Sequence, residues 1–181
     1  GLLFAGYDTT RNQLGHALFR FALAPDQWSM LAEQPELAGQ AVDEVMRLTD
    51  KLPRDAIIVE EGLTSTATLM NYFPFRDRNS FFGNVSGGIG WGIAAAVGVQ
   101  IAEPKRRVVA VIGDGSAMYS ITALWTAANQ KLPVIFVITN NEGYQILKNR
   151  LKLFHGNDTP IGMDFNDPPM NIARIAEGFG L

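Results

Sequence analysis

Residues 50–181 predict an α/β domain, a parallel sheet with helices on both faces, and residues 1–49 predict an all-α leader ahead of it. Short apolar runs rich in Val and Ile recur at 56–59, 107–112 and 134–139, and helical stretches separate them at 90–101 and 118–130. Strands that alternate with helices are joined by crossovers, which make parallel pairs and bury both faces of the sheet. No such alternation appears before Thr49.

The leader reads as three helices. Leu14, Leu18 and Phe21 share one helical stripe with Ala17 and Ala22, and Pro25 interrupts it. A short helix follows over 26–33. Pro35 then opens another that runs to about residue 48, with Ala38, Val42 and Val45 on its apolar face. The texture changes across Thr49-Asp50-Lys51-Leu52-Pro53, with no internal repeat and no low-complexity tract on either side.

Composition excludes several classes of function. The 181 residues carry a net charge of −3, so the basic surface that displaces counterions from nucleic acid is missing. There is no cysteine, which removes disulfides, thiolate nucleophiles, Cys-based zinc sites and thiolate-ligated haem, and fits a cytoplasmic setting. The longest weakly polar stretch, 89–102, is too short for a bilayer and is broken by glycines and Gln100. The apolar Gly1-Leu2-Leu3-Phe4 has no basic segment before it, unlike a signal peptide. A chain that opens on Gly rather than Met is expected to begin inside a longer protein.

The chemistry concentrates where two strands end. The run 108–112 leads into Gly113-Asp114-Gly115-Ser116, and ligands of parallel α/β sheets bind beyond the carboxyl ends of the strands. Glycines on either side of Asp114 let the backbone turn sharply and come close to a ligand. The next strand delivers Asn140-Asn141-Glu142-Gly143 to the same edge, so Asp114 and Asn141, 27 residues apart, are expected to converge. A carboxylate, an amide oxygen and a backbone carbonyl suit Mg²⁺, which takes oxygen ligands and completes its shell with phosphates and water. The helix expected after Ser116 turns its free N–H groups toward the same spot, where they favour a phosphate.

These residues resemble the thiamine diphosphate (ThDP)-dependent enzymes, whose motif opens on Gly-Asp-Gly and closes on Asn-Asn a little under thirty residues later. The resemblance covers residues 51–181. It looks closest to the benzoylformate decarboxylase branch through Ile112 to Ala117, Ala123 to Ala128 and Ala95 to Pro104. It implies ThDP and Mg²⁺ as cofactors, with Asp114, Asn141 and the Gly143 carbonyl on the metal. Gly113 and Gly115 frame the motif, Ser116 and Ala117 face the diphosphate, and Thr64 and Ser65 add to it. Gly87 offers its carbonyl to the aminopyrimidine, and Ile89 is the bulky aliphatic that bends the cofactor. Tyr144, Ile146 and Leu147 line the cofactor and substrate pocket. Leu63 departs from the pattern, standing where a hydroxyl residue is expected, and Ile146 is bulkier than an aryl substrate calls for.

The leader resembles a different family. Ala5-Gly6-Tyr7-Asp8-Thr9-Thr10, Arg11-Asn12-Gln13-Leu14-Gly15, Pro25-Asp26-Gln27-Trp28 and Glu44-Val45-Met46-Arg47 are similar to the haem-thiolate (cytochrome P-450) monooxygenases. The resemblance makes Asp8 and Thr9 a proton-relay pair and Glu44 with Arg47 a buried ion pair. Without a cysteine to ligate iron, no haem function is expected.

Two readings follow. In the first, the chain carries the half-site of a 2-oxo acid decarboxylase or an acetolactate-synthase-like carboligase, whose parent is a homo-oligomer. The resemblance implies a pyrimidine-binding domain that brings the activating glutamate, and a final strand and helix beyond Leu181; neither lies within these residues. In the second, it is a non-catalytic chimera of two unrelated pieces. His16 and His155 are isolated and read as surface or packing residues. Gly87-Gly88-Ile89-Gly90-Trp91-Gly92 does not fit the G-x-G-x-x-G spacing of a dinucleotide fingerprint.

Overall fold

A computed structural model describes residues 51–62, 73, 75–85, 87–156, 159 and 161–181. The chain divides into two compact units, Gly1–Leu52 with Ala67–Pro74, and Pro53–Thr66 with Phe75–Leu181. Of the first, only Lys51, Leu52 and Phe73 are described. The expected leader helices, with Asp8, Thr9, Glu44 and Arg47, therefore lie outside the described residues, as do Leu63, Thr64 and Ser65 of the second unit.

The second unit is built on four strands: β1 (Ile57–Glu61), β2 (Phe81–Gly83), β3 (Val108–Gly113) and β4 (Ile135–Thr139). They form one sheet in the order β2-β1-β3-β4, and every pairing is parallel. Successive side chains of a strand point to opposite faces. Ile57, Val59, Val108, Ala110 and Ile112 enter one cluster with Ile93, Ala96, Leu124 and Ile172. Ile58, Val109 and Val111, on the opposite face, are buried as well. A sheet covered on both sides needs apolar residues at every position, which is why these strands read as unbroken runs.

Five helices lie among the described residues: α1 (Gly92–Ala102), α2 (Asp114–Ser120), α3 (Ala123–Asn129), α4 (Gln145–His155) and α5 (Ile172–Gly178). α1 packs on β3 and β1 and against α2 and α3. Its last turn is fastened by Gln100, a buried side chain that donates to the carbonyls of Glu103 and Arg106 and accepts from the Val108 N–H at 3.0 Å. That staple satisfies a buried amide and starts β3 in register.

Two expectations need correction. The single helix at 118–130 is two helices, and the first begins earlier, at Asp114. Between them Leu124 and Trp125 donate back to Ile121 and Thr122, three residues away, at 3.1 Å each. This tighter winding keeps the chain right-handed while it interrupts the i→i−4 ladder. β2 was not expected at all; it is three residues long and sits at the sheet edge. No helix among the described residues is long and apolar enough to cross a membrane.

The parallel register puts the functional strand ends side by side. Glu61 pairs with Ile112, and Gly113 with Thr139, so β1, β3 and β4 release their following loops along one edge.

Candidate functional site

A cavity of about 460 Å³ opens at that edge. Three strand ends and one glycine-rich loop wall it. From β3 come Gly113, Asp114, Gly115 and Ser116; from β4 come Thr139, Asn141, Gly143 and Tyr144, followed by Gln145, Ile146 and Leu147 at the start of α4. Glu61 and Gly62 close the β1 side, and Gly87, Gly88 and Ile89 form the remaining wall.

Asp114 is the central charge. Only 3% of it is exposed, yet it opens α2 directly at the end of β3 and lies on the cavity wall. One carboxylate oxygen, Oδ1, accepts the Gly115 N–H at 2.9 Å, and the other, Oδ2, accepts the Gly143 N–H at 3.1 Å. The second bond ties the end of β3 to the loop after β4. A buried carboxylate must be hydrogen-bonded, and these two bonds meet that need while leaving acceptor capacity on both oxygens.

The loop after β4 is shaped by its own side chains. Asn140 Oδ1 accepts the Glu142 N–H at 3.1 Å, and Glu142 takes up a left-handed conformation, φ 58°. Residues 163–165 run alongside: Phe165 donates to the Glu142 carbonyl at 2.8 Å, and Tyr144 to the Met163 carbonyl at 2.9 Å. A Cβ at position 143 would stand 2.5 Å from that Met163 oxygen, so only glycine admits this approach. Lys148 and Asp164 form an ion pair beside it. The Gly143 carbonyl accepts the Gln145 N–H at 3.0 Å.

Tyr144 packs edge-on against Phe165, with ring centroids 4.6 Å apart. Its phenol is held above the usual tyrosine range, first by desolvation, then by a hydrogen bond with Tyr119 and the nearby charge of Asp114. Gly115 lies directly beneath the ring, for a Cβ there would come within 2.6 Å of it.

The sequence-predicted residues Gly87, Ile89, Gly113, Asp114, Gly115, Ser116, Asn141, Gly143, Tyr144, Ile146 and Leu147 thus share one cavity. Ala117 does not. It is fully buried in the core cluster, because one further step of about 100° along α2 turns it from the cavity to the sheet. Thr64 and Ser65 lie outside the described residues. Glu61, Gly62, Gly88, Thr139 and Gln145 line the cavity without having been singled out. Thr139 and Gly62 carry a usable signal, since each directly ends or follows an apolar run on the same edge.

No group of three or more His, Cys, Asp or Glu side chains forms a metal cluster among the described residues. A cation here would depend on Asp114, the amide oxygen of Asn141 and the Gly143 carbonyl. That all-oxygen set suits a hard ion that brings phosphate and water as its other ligands.

A glycine-lined cavity beyond the carboxyl ends of a parallel sheet, with the buried carboxylates of Asp114 and Glu61 on its wall, is the ligand-binding edge of an α/β domain. Residues 64–181 match the family "thiamine pyrophosphate enzyme, C-terminal TPP binding domain", and the chain belongs to that family. It is 40% identical over 129 residues to a benzoylformate decarboxylase of Pseudomonas aeruginosa, an alignment that covers 71% of this chain and 24% of the relative. A solved 4-hydroxybenzoylformate decarboxylase of Rhodococcus jostii, itself thiamine diphosphate-dependent, superposes with a TM-score of 0.71 at 38% identity, covering 77% of this chain and 26% of that one. The chain spans about a quarter of the length of these relatives. It carries the ThDP-binding domain of benzoylformate decarboxylase-like enzymes. A separate similarity, 54% identity over 52 residues, joins 29% of the chain to 13% of a luteothin monooxygenase of Streptomyces thioluteus.

Proposed function

We propose that the cavity holds the diphosphate of ThDP through Mg²⁺, as one half of the active site of a 2-oxo acid decarboxylase of the benzoylformate type. The observation that carries this reading is the buried carboxylate of Asp114, which faces the cavity between two glycines with acceptor capacity left on both oxygens. Asp114, Asn141 and the Gly143 carbonyl hold the metal. Ser116 faces the phosphates from the first turn of α2. Ile89 and Tyr144 border the organic part of the cofactor, and Ile146 and Leu147 the substrate side. When bound, ThDP supplies the electron sink for cleavage beside a ketone; the protein supplies binding, orientation and electrostatics.

Activation needs a carboxyl group free to exchange a proton with the cofactor. The cavity's two acids among the described residues, Glu61 and Asp114, are both engaged by backbone N–H groups. In this reading, as the resemblance implies, the activating glutamate comes from a pyrimidine-binding domain within a homo-oligomeric parent. With saturating ThDP and Mg²⁺, this chain alone should turn over neither pyruvate nor benzoylformate. It should still bind ThDP with a Kd of roughly 0.1–1 mM, about −4 to −5.5 kcal/mol, and only when a divalent metal is present. Turnover that disappears in Asp114→Ala refutes the missing acid. Equal calorimetric binding in Mg²⁺ and in EDTA refutes the metal.

Residues 1–49 carry a second reading, supported by the similarity to a monooxygenase and by the Glu44-x-x-Arg47 pair. We propose that they are a helical piece of haem-thiolate type joined to the ThDP-binding domain at 49–50, and that they ligate no cofactor. Haemin added to the purified chain should give no thiolate-type Soret band; such a band overturns the reading.

A further inference from the structure

The loop from Gly87 to Gly92 borders the cavity through its first three residues, Gly87, Gly88 and Ile89. Gly87 and Gly90 have φ of +79° and +101°, a region that glycine enters readily and other residues rarely. A loop that samples many conformations loses binding free energy when a ligand must order it. Two side chains outside this loop hold it in a single arrangement.

Asn84 grips the first half. Its Oδ1 accepts the Gly87 N–H at 2.8 Å, and its Nδ2 donates to the Gly88 carbonyl at 2.7 Å. Glu61 grips the second half. Its Oε1 accepts the N–H groups of Gly90 at 2.5 Å and Trp91 at 3.2 Å, and its Oε2 accepts that of Gly92 at 2.7 Å. Glu61 has no solvent exposure and ends β1, so this grip is anchored in the sheet. Gly92 admits it, since a Cβ there would stand 2.7 Å from the same Oε2. Ile89 lies between the two grips and on the cavity wall.

We infer that Glu61 and Asn84 are positioning residues that preset the Gly87–Gly92 loop, and with it Ile89 on the cavity wall, for the organic part of the cofactor before it arrives. The inference rests on the ThDP reading above. A plainer account is that Glu61 only caps α1, where an acidic group meets unpaired N–H groups. A cap supports the fold as a whole and weakens every ligand alike when it is lost. A preset wall serves only the ligand that reaches it. Among the described residues, the side-chain hydrogen bonds of Asn84 and Glu61 all go to Gly87–Gly92 and none to the Asp114–Gly143 side, where phosphate and metal would sit.

The test uses the full chain with Mg²⁺ and two probes, inorganic pyrophosphate and ThDP, together with amide hydrogen exchange in the absence of either. Glu61→Gln keeps the side chain's size but puts an NH₂ where one acceptor oxygen stood, so it cannot receive all three N–H groups. Asn84→Ala removes the other grip from a half-buried position and keeps the question answerable should Glu61→Gln fail to fold. Each variant should lose about tenfold in ThDP affinity while pyrophosphate affinity stays unchanged. Exchange should quicken at Gly87 in the first-half variant and at Gly90 to Gly92 in the second-half variant. Equal losses for both probes, or no loss for ThDP, overturn the inference. If the unmodified chain binds neither probe, the cofactor reading itself falls. The inference falls with it, whereas unequal exchange at these amides would still show that the two grips hold the loop.

Discussion

Replacing Asp114 by Asn keeps the outline of the side chain and changes what it can accept. In the native chain Oδ1 receives the Gly115 N–H and Oδ2 the Gly143 N–H, at 2.9 and 3.1 Å, in a group that is 3% exposed. Asparagine offers one oxygen and one NH₂, so one of the two N–H groups must face another donor. A buried donor left without its partner costs about 1–3 kcal/mol. For a folded unit of this size each kcal/mol moves the melting point by roughly 2–8 °C, so the ligand-free variant should melt several degrees lower. The proposed metal would lose a negative charge from its contact set at the same time. ThDP affinity in Mg²⁺ should fall by at least about tenfold, or 1.4 kcal/mol, from roughly 0.1–1 mM to 1–10 mM. Thermal melts without ligand and calorimetric titrations with Mg²⁺ and then EDTA measure the two effects separately. An Asn variant that melts as the parent does and binds ThDP equally well would show that Asp114 neither ties the two loops together nor meets the metal.

Two further outcomes follow from the packing around the site. Gly92→Ala should destabilise by about 1–3 kcal/mol, because its Cβ would stand 2.4 Å from Ile112 Cδ1 and 2.7 Å from Glu61 Oε2, both fully buried; an unchanged denaturation midpoint would refute this. The Tyr144 phenol, raised chiefly by desolvation, should ionise above the ordinary tyrosine range. Because its folded-state pKa lies above the unfolded one, its contribution to stability is whole below the ordinary phenol range and is lost as pH rises through the raised value. Tyrosinate absorbance should show a component above the ordinary tyrosine range that Tyr144→Phe removes, and a difference between the two chains that lies within the ordinary range would contradict it.

Where the sequence revealed the structure, the signal was local. β1 and β3 stood out because burial on both faces requires a run of apolar residues, and Val108 to Ile112 has no polar residue to blur it; β4, though an edge strand with no fully buried residue, stood out through its unbroken Ile135-Phe136-Val137-Ile138. β2 gave no such signal: Phe81-Phe82-Gly83 is too short for alternation and lies at an edge. The break between α2 and α3 was hidden because Ile121 and Thr122 keep right-handed helical angles, and no glycine or proline marks the place. The Gly-Asp-Gly turn and the Asn-Asn pair were legible by the same logic, each being a short pattern at a strand end. Ala117 was misplaced because its neighbours Gly115 and Ser116 do line the cavity, and a motif read as a block ignores helical phase. Glu61 was beyond local reading. Its partners are 29 to 31 residues away, and nothing nearby separates it from Glu60, whose carboxylate accepts the N–H of Gly62 two residues on.

Two carboxylates in one cavity raise the question of which one meets a cation, and their hydrogen bonds answer it. An ionised carboxylate has about four lone-pair positions. Glu61 accepts from three N–H groups, all from consecutive residues at the start of α1, which also present the positive end of that helix to it. Its charge is thus compensated by the backbone, and a metal bound there would have to displace bonds that shape the wall. Asp114 accepts from two, one to each oxygen, and retains acceptor capacity on both. The loop after the neighbouring strand brings Asn141 and Gly143 onto the same wall, and Gly143 is attached to Asp114 through its N–H. Under the proposed reading the division of labour follows from that difference: Glu61 would hold the loop that borders the organic end of the cofactor, and Asp114 would be left to serve the phosphate end. Exchanging the demands should expose it, since Asp114→Asn ought to abolish the Mg²⁺ dependence of ThDP binding and Glu61→Gln ought to preserve it. A Glu61→Gln variant that loses its metal dependence while Asp114→Asn keeps it would reverse the assignment.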